Sequence, residues 1–159
     1  MADAPLITSW MDYAATGQQL IARATRSLVI FDRDLLALRL ETPVQIAALT
    51  HFLRTSPSST LRIALHTADP LRLQHPRLLD LLRLFAHKFH VIEVSSHLAN
   101  LKDSIIVADD SSALIRFHHD HARSKYIDQD PESSRPYVKR FDDIWGEGGT
   151  PVTGTTIGL

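Results

Sequence analysis

The chain has 159 residues, of which 44% are hydrophobic and 22% charged; it contains no cysteine, and its net charge is -1. This composition predicts one folded globular domain, and the missing cysteines exclude disulfides, thiolate metal sites and a cysteine nucleophile. The near-neutral charge argues against nucleic acid and membranes as partners, and the absence of a signal peptide or a long apolar run predicts a cytoplasmic protein.

Helical and extended patterns alternate along the first half of the chain. Apolar residues recur at helical spacing over 10–26, and the apolar run 27–31 predicts a buried strand that ends in an acidic turn. Thr42 and Pro43 predict the start of a second helix, because threonine is a frequent N-cap and proline fits the first helical turn. Alternation of apolar and polar residues over 60–67 predicts the next strand.

The second half of the chain adds strands that follow one another without a helix. The predicted elements are a helix from Pro76, strands at 90–94, 104–108 and 113–117, and a helix from Pro131 or Pro136 to Trp145. Strands separated by helices predict parallel neighbours, and consecutive strands predict a hairpin. We therefore predict an α/β fold, a single-domain αβα sandwich with a mixed sheet over 1–145, followed by a flexible Gly/Thr-rich tail over 146–159.

Four segments of the chain carry a family resemblance. They are the strand around Ile30, the strand at 62–65, the run 102–109 and the closing segment 141–145. Over residues 20–145 their order and spacing resemble a single phospholipase D-like domain. More narrowly, the segments 75–81, 106–110 and 141–145 resemble an uncharacterised bacterial domain that often follows an acetyltransferase domain. No acetyltransferase fits in this chain, because the phospholipase D-like pattern occupies it.

The resemblance implies a site that has lost its catalytic residues. Active members of the superfamily carry a histidine that attacks phosphorus, a lysine two positions later and an aspartate five beyond that. On the strand that ends at Asp109, Lys102 takes the histidine position and Ser104 the lysine position. A protonated amine is a poor phosphorus nucleophile, so this alignment implies a non-catalytic module without a cofactor that binds a ligand or a protein partner. Single-motif relatives pair two subunits around one site, which implies a symmetric homodimer.

A second register keeps the same spacing and leads to an alternative. His121, Arg123 and Asp128 would be the nucleophile, the phosphate-binding cation and the supporting aspartate of a phosphodiesterase of nuclease or phospholipase type. This alternative requires the three side chains to face one pocket. The same segment offers an alternative metal site, with His119 and His121 as ligands that share one face of an extended chain, although the sequence favours no metal.

Cationic side chains near strand ends and helix starts are the candidates for binding an anionic small molecule. They are Arg33, Arg77, Lys102 and Arg116, to which the family pattern adds Asp109. Arg33 either holds an anion or bridges the aspartates on both sides of it. Arg77 follows a helix start, where free backbone N–H groups favour anions. Asp109 also fits a hairpin turn, in which an aspartate side chain bonds the backbone.

Overall fold

The computed structural model describes residues 5–154. The described residues form five α-helices, α1 (Trp10–Arg23), α2 (Pro43–Thr55), α3 (Asp69–Gln74), α4 (Pro76–Leu84) and α5 (Pro131–Gly146). They also form seven strands, β1 (Ser27–Asp32), β2 (Thr60–Leu65), β3 (Phe89–Val94), β4 (Ser104–Ala108), β5 (Ser112–Arg116), β6 (Ser124–Ile127) and β7 (Gly149–Val152). None of these helices is both long and apolar enough to cross a membrane.

All seven strands belong to one mixed sheet in the order β6-β5-β4-β1-β2-β3-β7. The central strands β1, β2 and β3 are parallel and are connected through α2 and through the pair α3 and α4. The strand β4 runs antiparallel to β1 and forms a hairpin with β5. The predicted αβα sandwich with a mixed sheet, its parallel strands and its hairpin are therefore confirmed.

Local capping signals explain where the helices begin. The Oγ atom of Ser9 accepts a hydrogen bond from the amide of Asp12 at 3.1 Å, which satisfies one free N–H group at the start of α1. Asp130 caps α5 in the same manner. Thr42 is the predicted N-cap of α2, although its hydroxyl donates instead to the carbonyl of Arg39 at 3.1 Å.

The central strand is apolar on both sides because helices cover both faces of the sheet. Leu28 and Ile30 face the layer of α1, α2 and α4, whereas Val29 and Phe31 face α5. A strand covered on both faces reads as a continuous apolar run, which is the pattern seen in the sequence. Burying each of these side chains stabilises the fold by about 1.5–3 kcal/mol.

The predicted flexible tail is wrong for the residues that form β7. This strand pairs antiparallel with β3 at one edge of the sheet, where Pro151 lies opposite Ile92. An edge position tolerates proline because, within residues 5–154, no further strand pairs there and needs its missing N–H group. Glycine suits position 149, since a Cβ there would overlap the carbonyl group of Glu93. Residues 155–159 of the predicted tail lie outside the described residues.

Two short elements were missed in the sequence. One is α3, which lies directly before α4, and the other is β6, which pairs with β5 at the opposite edge of the sheet. The polar sequence of β6 is compatible with an edge strand because its residues after Ser124 are only partly buried. Ser124 itself is buried, and its hydroxyl donates to the carbonyl of Ala122 at 2.6 Å.

Candidate functional site

A cavity of about 330 Å³ opens at one end of the sheet, where β1, β2 and β3 end and β4 begins. In α/β sheets, ligands commonly bind at the carboxyl ends of the parallel strands. The lining residues are Arg33, His66, Val94, Ser95, Ser96, Ala99, Lys102 and His119. A larger cavity of about 440 Å³ lies beside β7, but its walls are mostly apolar and hold none of the predicted site residues.

Strand ends hold the walls of this cavity in place. The amide of His119 donates to the carbonyl of Lys102 at 2.7 Å, which ties the loop after β5 to the start of β4. Nε2 of His66 donates to the carbonyl of Leu101 at 2.7 Å. The ring of His66 also stands edge-on to that of Phe31, with 5.2 Å between centroids. These contacts orient the polar side chains before any ligand arrives.

Two basic side chains, those of Arg33 and Lys102, line the cavity. Arg33 lies 3.4 Å from a carboxylate oxygen of Asp120 in a half-exposed ion pair. Burial lowers the pKa of His119, and the basic groups of Arg33 and Lys102 lower it further, against the opposing charge of Asp120. His119 is therefore neutral at pH 7.

A buried ionic cluster lies next to the cavity, on the α1 side of the sheet. Nη2 of Arg116 donates to Oδ1 of Asp32 at 2.6 Å and to the hydroxyl of Ser104 at 2.9 Å. The Ser104 hydroxyl in turn donates to Asp32 at 2.6 Å. The Arg116 guanidinium also lies over the rings of Tyr13 and Trp10, at 4.8 and 5.1 Å from their centroids.

This cluster corrects the expectation that Arg116 meets a ligand. Only 2% of the Arg116 side chain is exposed, and its charge compensates the buried carboxylate of Asp32. The two positions of the aligned motif also differ: Lys102, two residues before β4, lines the cavity, whereas Ser104, the first residue of β4, is buried within the cluster. Of these two positions, only that of Lys102 reaches the cavity.

Asp109 has a structural role at the other end of β4. It lies in the turn of the predicted hairpin, and its carboxylate accepts hydrogen bonds from the amides of Thr25, Arg26 and Ser27 at 3.0, 2.7 and 3.0 Å. Burial alone would raise the pKa of Asp109, but the bonds from these three amides hold it below its usual range. Because β4 separates Asp109 from Lys102, Asp109 does not reach the cavity.

The predicted anion site at the start of α4 is filled by a carboxylate of the chain itself. The amides of Arg77 and Leu78 donate to the two carboxylate oxygens of Glu41 at 2.7 and 3.2 Å. These N–H groups would otherwise be free to bind an external anion. Glu41 therefore takes the place of the ligand that the sequence predicts beside Arg77.

The structure does not bring the phosphodiesterase candidates together. His121 and Arg123 precede β6 and Asp128 follows it, so the strand separates them by roughly 13 Å. His121 is exposed, and Arg123 lies against the ring of Phe117, 6.0 Å from its centroid. Asp128 pairs with Arg23 at 3.2 Å. The single pocket that this alternative requires is not formed.

In the histidine-rich loop after β5, the residues whose ligand atoms lie close together differ from the predicted pair, His119 and His121. Ligand atoms of His118, His119 and Asp120 all lie within 4.8 Å of one another, and His121 does not belong to this group. His66 lines the cavity and was missed because the strand was predicted to extend past it. Its position at the carboxyl end of a parallel strand was the signal that could have found it.

Comparisons with known proteins agree with the fold and leave the function open. A family model described as "Domain of unknown function (DUF7931)" matches residues 10–153. Among curated proteins, none matches the chain.

Solved structures show the same fold at low sequence identity. TrmBL2, an archaeal chromatin protein with a novel mode of DNA binding, aligns with a TM-score of 0.66 and 11% identity over 92% of this chain and 54% of its own. The present chain thus spans about half of TrmBL2. Nuc from Salmonella typhimurium, a phospholipase D family member, aligns with a TM-score of 0.58 and 12% identity over 87% of this chain and 90% of its own. NucT from Helicobacter pylori aligns with a TM-score of 0.56 and 10% identity over 90% of this chain and 95% of its own. The predicted phospholipase D-like fold is confirmed.

Proposed function

The chain belongs to the DUF7931 family, and we propose that it is a non-catalytic phospholipase D-like module that binds a phosphate-bearing anion between Arg33 and Lys102. The composition of the cavity wall carries this proposal. Of the described residues, those that line the cavity include two permanent cations, two histidines and two serines, and no carboxylate. An anion bound there would exchange its hydrogen bonds to water for hydrogen bonds from charged side chains and hydroxyl groups.

The two cations suit different parts of a phosphate group. The planar guanidinium of Arg33 can donate two parallel hydrogen bonds to two phosphate oxygens, whereas Lys102 supplies a compact charge on a flexible stem. The half-exposed pair between Arg33 and Asp120 contributes only about 0–1 kcal/mol, so a phosphate can displace the carboxylate at little cost. The serines at the end of β3 add hydroxyl donors.

Three features of the motif support the absence of catalysis. Lys102 stands at the position of the family's histidine nucleophile, and Ser104, at the lysine position, is engaged with buried charges. His66 and His119 line the cavity from different elements and do not restore a histidine and a lysine on one strand. We therefore expect purified protein to leave a chromogenic phosphodiester intact, with the same result for His121→Ala. Hydrolysis that this substitution abolishes would establish the phosphodiesterase alternative instead.

A titration of the ¹⁵N-labelled protein with inorganic phosphate, followed by NMR, tests the binding site. The amide signals of residues 33, 66, 95 and 102 should shift together and saturate. Because a hydrogen bond to a charged group contributes about 1.5–3 kcal/mol, Lys102→Gln should weaken binding roughly tenfold or more. Lys139→Gln is the matched control, since Lys139 is exposed on α5 and pairs with Asp143. Equal affinities for the two variants would contradict the proposal.

A single-stranded oligonucleotide added in place of phosphate separates two sources of the same anionic chemistry. TrmBL2 is described by its DNA binding, but the present chain has a net charge of -1. We expect the oligonucleotide to bind no more tightly than its terminal phosphate alone. A much higher affinity that falls steeply with salt would identify nucleic acid as the ligand.

We also propose that the protein forms the symmetric homodimer implied by the family resemblance. Three contacting elements at the cavity end expose apolar side chains: Trp10 and Met11 on α1, Leu36 after β1 and Phe117 after β5. Light scattering at micromolar concentrations should give twice the chain mass, and Met11→Glu should reduce it; a monomer throughout would refute the dimer. The acetyltransferase association and the cytoplasmic location stay predictions.

A further inference from the structure

We propose that His118, His119 and Asp120 form a binding site for a divalent transition-metal ion such as Zn²⁺. Nε2 of His119 lies 3.4 Å from Oδ1 of Asp120, and Nδ1 of His118 lies 3.8 Å from Oδ2 of the same carboxylate. Two ligands that are each about 2.1 Å from a tetrahedral zinc ion lie about 3.4 Å apart. Small side-chain rotations would therefore bring all three groups to bonding distance.

The middle residue of this short segment, His119, is held through both its backbone N–H and its carbonyl. The amide of His119 donates to the carbonyl of Lys102 at 2.7 Å, and Nη1 of the buried Arg116 donates to the carbonyl of His119 at 3.4 Å. The amide of His121 donates to the carbonyl of His118 at 3.0 Å. The backbone that presents the ligands is thus ordered by the protein itself, which lowers the entropic cost of binding an ion.

The histidine nitrogens have the electronic state that a metal requires. Because Nδ1 of His118 accepts the Asp120 amide, it carries a lone pair rather than a proton, and an ion would replace that amide. Nε2 of His119 is the nitrogen that faces Asp120 and would bind the ion. Two imidazoles and one carboxylate form a donor set that suits zinc and leaves a coordination position open.

Arg33 competes with the metal for the same carboxylate. Its Nη1 lies 3.4 Å from Oδ1 of Asp120, the oxygen that also faces His119. A bound ion would displace the guanidinium from Asp120, and the two positive charges would repel one another. Removal of the arginine charge should therefore strengthen metal binding, an effect that adventitious binding to exposed histidines elsewhere would not show.

Calorimetric titration of the untagged full chain with zinc chloride, in a buffer free of phosphate, tests the site. We expect one ion per chain, and His118→Gln and Asp120→Asn should each weaken binding by at least about tenfold. Arg33→Gln should strengthen it several-fold. His87→Gln, at an exposed histidine outside this loop, is the matched control and should leave the affinity unchanged. Cobalt absorption in the visible range should show the same order among the variants.

Two outcomes would overturn the inference. Absence of saturable zinc binding would refute the site altogether. Zinc binding that survives His118→Gln but is lost in His121→Gln would move the site to the pair His119 and His121. The phosphate titration is run with a chelator present, so the anion site and the metal site can fail independently. Thermal melts of each variant identify any loss caused by misfolding.

Discussion

Two arginine–aspartate pairs of this protein begin at consecutive residues and have opposite environments. Asp32 pairs with Arg116 at 2.6 Å, and almost none of either side chain is exposed. Arg33 pairs with Asp120 at 3.4 Å, and about half of each side chain is exposed. The buried pair has no freedom to accept a ligand, whereas the exposed pair can exchange its carboxylate for a phosphate or its guanidinium for a metal. In the proposed function, burial divides the charges at one end of the sheet into structural and binding groups.

Breaking the buried pair should have the largest effect on stability. Arg116→Met leaves the carboxylate of Asp32 buried without its counter-ion, and such changes typically cost about 3–5 kcal/mol of the free energy of unfolding. Urea denaturation followed by circular dichroism at pH 7 measures the loss. The double variant Asp32→Leu with Arg116→Met should be more stable than Arg116→Met alone, because it removes both buried charges. A single variant as stable as the wild type would contradict this account of the cluster.

The buried pair of Asp32 and Arg116 also shows what could and could not be predicted from the sequence. The strand with Arg116 was predicted, but alternation could not show which of its residues are covered, because helices pack on both faces of the sheet. Only the contact with Asp32, 84 residues away, explains a fully enclosed arginine. Arg33 and Lys102 were predicted as ligand-binding residues because a strand end is a local feature; both line the cavity, and their binding of a ligand stays a prediction.

Two of the missed elements depend on distant partners. β7 lacks a continuous apolar run and forms because β3 offers an unpaired edge, and β6 forms in the same way on β5. The histidine loop was noticed in the sequence, but its grouping was not, since a turn rather than an extended strand brings His118 to Asp120. Composition and periodicity thus predicted the central strands and helices, and long-range pairing determined the edges.

At the hairpin end of the sheet, we expect the loss of the Asp109 charge to have an intermediate effect on stability. Asp109→Asn removes the charge that three amides stabilise, and should lower the free energy of unfolding by roughly 1 kcal/mol at pH 7. Asparagine is the suitable replacement because residue 109 has a φ of 55°, which asparagine tolerates.

The pH dependence of this effect follows from the direction of the pKa shift. The pKa of Asp109 is lower in the folded state, so its stabilisation is complete above the unfolded-state value of about 3.9. It is lost as the pH falls through the folded-state pKa. Urea denaturation of both proteins from pH 7 downward should therefore show the difference shrinking in acid. A difference that stays constant with pH would mean that the charge of Asp109 does not matter.

We expect a smaller loss of stability at the N-terminus of α4, where the carboxylate of Glu41 binds the free amides. Glu41→Gln keeps an oxygen that can accept one amide of α4 but removes the negative charge near the helix N-terminus. Charges in this position typically contribute about 0.3–1 kcal/mol, and the melting temperature should fall accordingly. The comparison is made with Asp80→Asn, because Asp80 is exposed and lies farther along α4, away from its N-terminus. An equal fall in the melting temperature of both variants would contradict a special role of Glu41.

The smallest effect on stability should occur at Arg33, although its effect on binding is large. Arg33→Gln breaks only a half-exposed ion pair, so the free energy of unfolding should change by less than about 1 kcal/mol. Loss of the guanidinium should nevertheless weaken phosphate binding roughly tenfold, because the charged donor is lost. Arg54→Gln, an exposed arginine at the end of α2, is the matched control for charge. If Arg33→Gln instead destabilised the fold as much as Arg116→Met and left phosphate affinity unchanged, the two pairs would have the same structural role. Burial would then not separate binding charges from structural ones in this protein.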